Sequence, residues 1–409
     1  MLKFQRLLIG AFILLVPIIY PLHQVKNARD YQQMIFQYGV MIVAVFFVRN
    51  IWMGIFFCWT LILYYLNNAV CGYETVMNVF LGIILYGISR NFYAKVRFEK
   101  ECKWIMWVGF ISIGFMVLQY FHADPLHIAQ ANDGKLLPHE TFNNLVGIFA
   151  LKSHNGIFLA LLVPILAMIN PVFGFLMMFP VALSESSGAV MAGGAALLFF
   201  LWFNGNKRLF LSTILIASVG LGFFFFKDFK SSPDMFRSRF GIWHLTARES
   251  LLRPIGYGPD SFRNLTPNKD FMIMGDQDFN AALGFATKNS NEFHFIYYNA
   301  DHKKMKEMND PLTATVLKTP NIWDHPHNEY LNLLFCWGFV GLILFGFFMK
   351  DMVLKFLRSD KSVEVITITS MLIVYLVSAT TQFPFSVARL AYLIPILLGA
   401  FDASAEEQC

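Results

Sequence analysis

The sequence predicts an all-α polytopic membrane protein with about twelve transmembrane helices. Composition is the first observation: 56% of the 409 residues are hydrophobic and only 14% are charged, against about 45–50% and about 25% in soluble domains. The second observation is that the apolar residues form runs of bilayer length. Together they exclude an ordinary soluble enzyme, and a formal net charge of +5 indicates no nucleic-acid-binding surface.

Twelve apolar runs follow one another along the chain, each close to the roughly 20 residues that cross a bilayer as a helix. They cover residues 7–22, 34–48, 51–69, 76–88, 104–121, 155–169, 171–183, 188–204, 208–226, 330–349, 362–381 and 385–401. The first run resembles a signal peptide, but no small-x-small cleavage site precedes His23 and Lys26. We therefore expect an uncleaved first span.

Positive charges predict the orientation of these spans. The short segments on the side of the N-terminus carry fourteen basic residues: Lys3, Arg6, Arg49, Arg90, Lys95, Arg97, Lys100, Lys103, Lys207, Arg208, Lys350, Lys355, Arg358 and Lys361. The short segments on the opposite side carry only Lys26, Arg29, Lys135 and Lys152. Because cytoplasmic loops of membrane proteins hold the excess of Lys and Arg, both termini are predicted to be cytoplasmic.

One connecting segment is far longer than the others and lies outside, between predicted spans nine and ten. The chain is thus divided into spans one to nine (1–226), an outer loop domain (227–329), and spans ten to twelve with a short tail (330–409). Arginine and histidine residues concentrate at this outer surface, so we expect the function to reside in the loop.

The first half of the loop contains a predicted amphipathic helix, residues 235–254, that ends at its proline. It carries four arginines within 17 positions: Arg237, Arg239, Arg248 and Arg253. Such arginines can extend toward lipid headgroups, or they can bind an anionic ligand such as a phosphate. The positive-inside rule does not account for basic residues on the outer side of the membrane. Their presence there therefore favours an anionic ligand.

The loop ends with two histidines, His325 and His327, directly before predicted span ten. An imidazole with a pKa near 6.5 can take a proton from a hydroxyl at neutral pH, so His327 is a candidate general base. Two alternatives stay open. The histidine can cap the next helix, or it can bind a metal ion with His325, which requires a further ligand that the sequence does not cluster nearby.

From His327 the sequence continues with Asn328, nine residues, Gly338, two residues and Gly341. The two glycines permit close helix approach. The whole pattern resembles the H-[NSQ]-x9-G-x-x-G signature of the O-antigen ligase family, whose members transfer a polymerised glycan from undecaprenyl pyrophosphate to the lipid A core. Further segments are similar to the wider superfamily of ligases, polymerases and pilin oligosaccharyltransferases: residues 239–243, 253–262, 184–189 and 382–385.

The resemblance implies a glycosyltransferase C type fold, a bacterial inner-membrane location, and metal-independent, inverting transfer on the periplasmic face without a cofactor. The implied partners are an undecaprenyl-pyrophosphate-linked glycan donor, a lipid A core or other glycan acceptor, and the lipid bilayer. His327 would activate the acceptor hydroxyl. The implied pyrophosphate-binding residues are Arg239, Arg237, Arg253 and Arg389, with His325, Asn328, Lys288 and Arg248 in support.

Arg389 is also notable without the resemblance, because an isolated charge inside a predicted span suggests function. Its alternative is extension of the side chain to the outer headgroups. Lys288 is named because family members carry another arginine late in the loop, where this chain has lysines instead.

Three other functions compete with the ligase. An O-antigen polymerase and a protein O-oligosaccharyltransferase would use the same donor with a different acceptor. The histidine signature and the single dominant outer loop favour the ligase. A transporter or flippase would instead require ionisable residues at the bilayer midplane and paired broken helices, and few such residues are found.

Overall fold

A computed structural model describes residues 51–66, 73–121, 123–125, 128, 145–149, 151–214, 243, 246–259, 261–262, 326–382, 384–385 and 388–406. Every regular element within these ranges is a helix and none is a strand. The prediction of an all-helical fold is therefore confirmed for this part of the chain. Predicted spans 7–22 and 34–48, and most of 208–226, lie outside the described residues.

The helices coincide with nine of the twelve predicted runs, with ends that differ by up to nine residues. In chain order they are α1 (Ile51–Leu66), α2 (Tyr73–Tyr93), α3 (Glu99–Tyr120), α4 (Lys152–Ile169), α5 (Pro171–Leu183), α6 (Ser187–Phe203), α7 (Glu329–Arg358), α8 (Val363–Ser378), α9 (Ala388–Ala391) and α10 (Leu393–Glu406). Residues 207–214 and 246–252 are also helical.

Among the helices that the structure describes, three, α3, α4 and α7, are both long and apolar enough to cross a bilayer. Helix α7 is interrupted at Gly338, and its part after the interruption, residues 339–358, corresponds to roughly 30 Å at 1.5 Å per residue. The 13 residues of α5 give only about 20 Å, less than the roughly 30 Å hydrocarbon core. The chain is thus a helical membrane protein, while the number of twelve spans and their orientation stay predictions.

The described residues belong to two compact units. Unit 1 takes its residues from 1–54, 77–223 and 346–409, and unit 2 takes its residues from 55–76 and 224–345. Residues of the predicted outer loop that the structure describes all belong to unit 2.

The core of unit 1 is built around α4, whose residues 154–165 are all buried. Its sequence after Gly156 is apolar on every face, which is typical of a helix surrounded by others. It packs against α3, α5, α6 and α8. Asn170 ends α4 and begins α5 by accepting a hydrogen bond from Val172 N at 2.9 Å, so the two helices are joined by a single residue.

A cluster of charged side chains in unit 1 joins α10 to α2 and α7. Asp402 of α10 is 3% exposed and pairs with Lys355 Nζ at 2.5 Å and with Arg90 Nε at 3.5 Å. Glu406 pairs with the same two cations. Two basic residues predicted on the same side of the membrane therefore lie together with the C-terminal helix.

Candidate active site

The histidine signature lies where α7 begins. Asn328 is the N-cap of this helix, because its side-chain oxygen accepts a hydrogen bond from Leu331 N at 3.1 Å and its carbonyl accepts one from Asn332 N at 2.9 Å. The alternative that His327 caps the helix is therefore wrong. The signature position that accepts Asn, Ser or Gln is occupied here by a residue type that caps helices well.

His327 has an uncommon backbone conformation with a φ of 51°, in the left-handed region. A side chain other than glycine in this region is disfavoured by about 1–3 kcal/mol unless its surroundings impose it. Here the residues on both sides are held: Asn328 caps α7, and the Pro326 carbonyl accepts a hydrogen bond from Trp243 Nε1 at 2.9 Å. The backbone on both sides of the half-buried His327 is therefore held in place.

Helix α7 is broken at Gly338, which has φ 66° and ψ −168°. A break frees carbonyls before it and an N–H after it, and these groups need protein partners where water is excluded. Residues 254–258, here called the docked turn, supply such partners. Three backbone hydrogen bonds of 2.9 Å join the segments: Tyr257 N to Phe335 O, Gly258 N to Cys336 O, and Phe339 N to Pro254 O.

Helix α1 supports the same break from another direction. Trp59 Nε1 donates to Trp337 O at 2.9 Å, and Trp337 Nε1 donates to Thr60 Oγ1 at 2.9 Å. The Trp337 ring also stacks on Phe56, with centroids 5.7 Å apart. The carbonyls of residues 335–337 therefore all accept hydrogen bonds from protein donors.

Glycines make the contact between the docked turn and α7 sterically possible. A Cβ atom on Gly256 would lie 2.6 Å from Cys336 O and from Gly338 N, and Gly256 has a φ of 92°. A Cβ atom on Gly338 would lie 2.6 Å from Gly256 N. The predicted close approach at Gly338 is present, but its partner is the backbone of the docked turn and not a second helix.

Of the predicted pyrophosphate-binding arginines, the structure places Arg253 most fully. Residues 246–252 are helical and the helix ends before Pro254, as predicted. Arg253 follows the helix end, is half-buried, and lies over the Tyr257 ring at 5.1 Å from the centroid. Arg248 is exposed, with its Nε 3.8 Å from a carboxylate oxygen of Glu249.

The other predicted residues are not placed. Arg237, Arg239, Lys288 and His325 lie outside the described residues. The backbone of Arg389 belongs to the short helix α9, and its side chain also lies outside them. Within the described part of the chain, no three His, Cys, Asp or Glu side chains lie close enough together to bind a metal ion.

Two residues of this region were not singled out from the sequence. Glu249 is only 9% exposed, and its carboxylate accepts a hydrogen bond from Tyr257 Oη at 3.4 Å. Burial and then the charge and hydrogen bond of Glu249 raise the pKa of Tyr257, which keeps the hydroxyl protonated as a donor. The available signal was that Tyr257 lies between the two glycines of the docked turn.

The serine-rich segment belongs to unit 1 and has a structural role there. Ser186 caps α6 by accepting a hydrogen bond from Ala189 N at 3.4 Å. A Cβ atom on Gly156 of α4 would lie 2.9 Å from the Cβ atom of Ala189, so α4 and α6 are in close contact at this point. Beside them, Lys152 and Glu185 form an exposed ion pair of 2.6 Å.

Comparison of this chain with models of protein families, with curated proteins and with solved structures finds no match in any of the three. The resemblance to the O-antigen ligase family rests on the sequence motifs. What unit 2 adds is physical contact between two of them: the segment from Trp243 to Gly258 meets the histidine signature through Pro326 and around Gly338.

Proposed function

We propose that this protein is an O-antigen ligase-like glycosyltransferase that moves a glycan from undecaprenyl pyrophosphate to a hydroxyl of a lipid A core sugar. The observation that supports this most is the hydrogen bond from Trp243 to Pro326, between residues 83 positions apart. With the docked turn, it attaches the arginine segment to the helix that begins beside His327. Arg253 and His327, the proposed anion-binding residue and the proposed base, thus belong to the same unit.

The reaction needs two kinds of assistance. His327 takes the proton of the acceptor hydroxyl as its oxygen attacks the anomeric carbon of the donor. The bond from that carbon to the phosphate oxygen breaks, and undecaprenyl pyrophosphate leaves with the electron pair. Because this leaving group is a weak base, it needs charge stabilisation and not a proton. Arginine supplies that charge with donors in a fork that matches phosphate oxygens.

The proposal includes the finer features implied by the resemblance. These are a glycosyltransferase C type fold, a bacterial inner membrane, a periplasmic active site and cytoplasmic termini. The meeting of Arg90 and Lys355 with the C-terminal helix in unit 1 supports the assignment of these groups to one side of the membrane. A polymerase or a protein O-oligosaccharyltransferase would use the same residues with another acceptor.

The broken helix α7 is the one observation that favours a transporter, since transporters bind ions at unwound backbone carbonyls. In this chain, however, the carbonyls of residues 335–337 accept from the docked turn and from Trp59. They are engaged in holding protein segments together. The break therefore fits a scaffold for the loop better than an ion site.

The test is to express the wild type and His327→Asn in a Gram-negative host deleted for its own O-antigen ligase, followed by lipopolysaccharide gels. Asparagine is chosen because it adopts the left-handed conformation of His327 more readily than most residues. Gly346→Ala is the matched control, since it changes α7 where a Cβ atom meets open space.

A ladder with the wild type and the control but not with His327→Asn would support ligation and the role of the base. Full transfer by His327→Asn would overturn that role. If the wild type gives no ladder but lengthens lipid-linked glycan in a polymerase-deleted host, the protein is a polymerase. Transfer in neither host would overturn the proposed function.

A further inference from the structure

Arg253 is connected to α7 through a column of aromatic rings. Its guanidinium carbon lies 5.1 Å from the centroid of the Tyr257 ring. The Tyr257 ring stacks on Phe335 with centroids 4.6 Å apart and planes 16° apart, and Phe262 meets Phe335 edge-on at 5.3 Å. Phe335 is fully buried in α7. The column therefore ties the arginine to the same helix that His327 precedes.

Tyr257 is held at its backbone, its ring and its hydroxyl. Its N–H donates to Phe335 O at 2.9 Å, its ring stacks on the Phe335 side chain, and its hydroxyl donates to buried Glu249. The turn that leads to it is closed by Gly256 N, which donates to Arg253 O at 2.9 Å. This turn places the arginine above the tyrosine ring.

We propose that Tyr257 is a positioning residue that holds the Arg253 guanidinium ready for the pyrophosphate of the lipid-linked donor. This inference rests on the proposed function. A cation over an aromatic face is attracted by the ring, so the Tyr257 ring restrains the position of the Arg253 guanidinium. The N–H donors of a guanidinium bind phosphate oxygens in pairs. An arginine held in this way loses less side-chain entropy when the donor arrives.

Arg248 is the contrasting cation on the same segment. Its side chain is 47% exposed and lies beside the Glu249 carboxylate, so its charge is partly balanced within the protein. Glu249 thus has two contacts of different kinds, an ion pair with Arg248 and a hydrogen bond from Tyr257. Arg253 differs from Arg248 because it lies over the Tyr257 ring, and that ring stacks on Phe335 of α7.

The test is a double-mutant cycle on donor kinetics with the full chain in detergent and a purified lipid-linked glycan. Arg253→Ala and Tyr257→Leu should each raise the donor KM about 3- to 10-fold, as expected for loss of a partly desolvated cation and its ring. Arg253→Ala should also lower kcat, because the arginine stabilises charge on the leaving group. Tyr257→Leu keeps that charge and should change kcat less than about 2-fold. The double variant should be no worse than Arg253→Ala, because Tyr257 acts through the arginine. Independent, multiplicative effects would overturn the proposal.

Two further variants keep the result interpretable. Tyr257→Phe retains the ring and should stay within about 2-fold of the wild-type KM, whereas a loss equal to that of Tyr257→Leu would place the effect in the hydroxyl and overturn the role of the stack. Tyr120→Leu is the control, because its ring packs on Phe121 in unit 1. It should leave the KM unchanged.

A binding measurement separates this inference from the proposed reaction. Farnesyl pyrophosphate, a short lipid pyrophosphate, should raise the unfolding temperature of the wild type and of Tyr257→Phe by more than that of Arg253→Ala or Tyr257→Leu at the same ligand concentration. That result without glycan transfer would support the positioning role while the ligase proposal fails. Equal protection of all four proteins would overturn the positioning role.

Discussion

Two glycines of the helix bundle in unit 1 and two glycines at the docked turn in unit 2 meet different kinds of neighbouring atom. In unit 1, a Cβ atom on Gly193 would lie 3.0 Å from the Met178 sulfur, and one on Gly109 would overlap the side-chain end of Leu162. In unit 2, the atoms 2.6 Å from a Cβ atom on Gly256 or Gly338 are backbone atoms. Side chains can change rotamer to accommodate a neighbour, whereas a hydrogen-bonded backbone cannot. A neighbour can therefore move aside at Gly193 and Gly109 but not at Gly256 and Gly338. Gly399 of unit 1 also meets backbone atoms, Arg90 N and Tyr86 O at 2.7 Å, so such contacts are not confined to unit 2.

The largest difference between the units should appear at Gly338. Gly338→Ala places a side chain at φ 66° and against the docked turn, so we expect the protein to lose at least about 3 kcal/mol of stability and its transfer activity. Gly346→Ala, in open space on the same helix, should be neutral or stabilise by up to about 1 kcal/mol. Thermal unfolding in detergent measures both. Equal stability of the two variants would refute the backbone contact.

The charged cluster of unit 1 should affect stability without affecting chemistry. Asp402→Asn leaves Arg90 and Lys355 without their buried partner. Removal of one member of a buried pair is strongly destabilising, and partial exposure of both cations, 17% and 32%, reduces the expected loss to about 1–3 kcal/mol. Unfolding should shift while transfer per folded molecule stays at the wild-type level. A fall in transfer per folded molecule would show that the charged cluster also affects the chemistry.

The two units also offer a matched pair of helix caps. Asn328 caps α7 beside His327, and Ser362 caps α8 in unit 1 by accepting from Val365 N at 3.3 Å. Replacement of either by alanine should cost about 1 kcal/mol of stability. Only Asn328→Ala should also lower transfer, because it releases the backbone next to the imidazole. The measurement is the stability and the specific activity of both variants. Equal specific activities of Asn328→Ala and Ser362→Ala would show that the Asn328 cap does not position His327.

The smallest effect is expected from Trp243→Phe, which keeps an aromatic ring but removes the hydrogen bond to Pro326. Loss of one such bond is worth about 0.5–1.5 kcal/mol, or roughly 2- to 10-fold in transfer rate if it is felt at the base. Trp107→Phe in unit 1, where the side chain is 61% exposed, is the control and should have no effect on the rate. An unchanged transfer rate in Trp243→Phe would show that the hydrogen bond to Pro326 does not contribute to activity.

Local sequence features predicted much of the fold because helices are local structures. Apolar runs identified nine helices, and Pro254 marked the end of a helix in the loop. Side-chain roles were less predictable: His327 was an open candidate for the cap that Asn328 forms. Both residues suit the position by pattern, and only the structure shows that the Asn328 side chain accepts the hydrogen bond from Leu331 N.

The amino-acid sequence determined the membrane class, the helices and the residue types for base and anion chemistry, since hydropathy and periodicity act over short stretches of chain. The break at Gly338 and its partners were decided by folding in three dimensions. Trp59 and Trp337 are 278 positions apart, and the docked turn reaches residues 335–339 from a distant part of the loop. A broken helix leaves backbone groups without hydrogen-bond partners, and other parts of the chain must supply those partners. No local sequence pattern shows which part of the chain will do so.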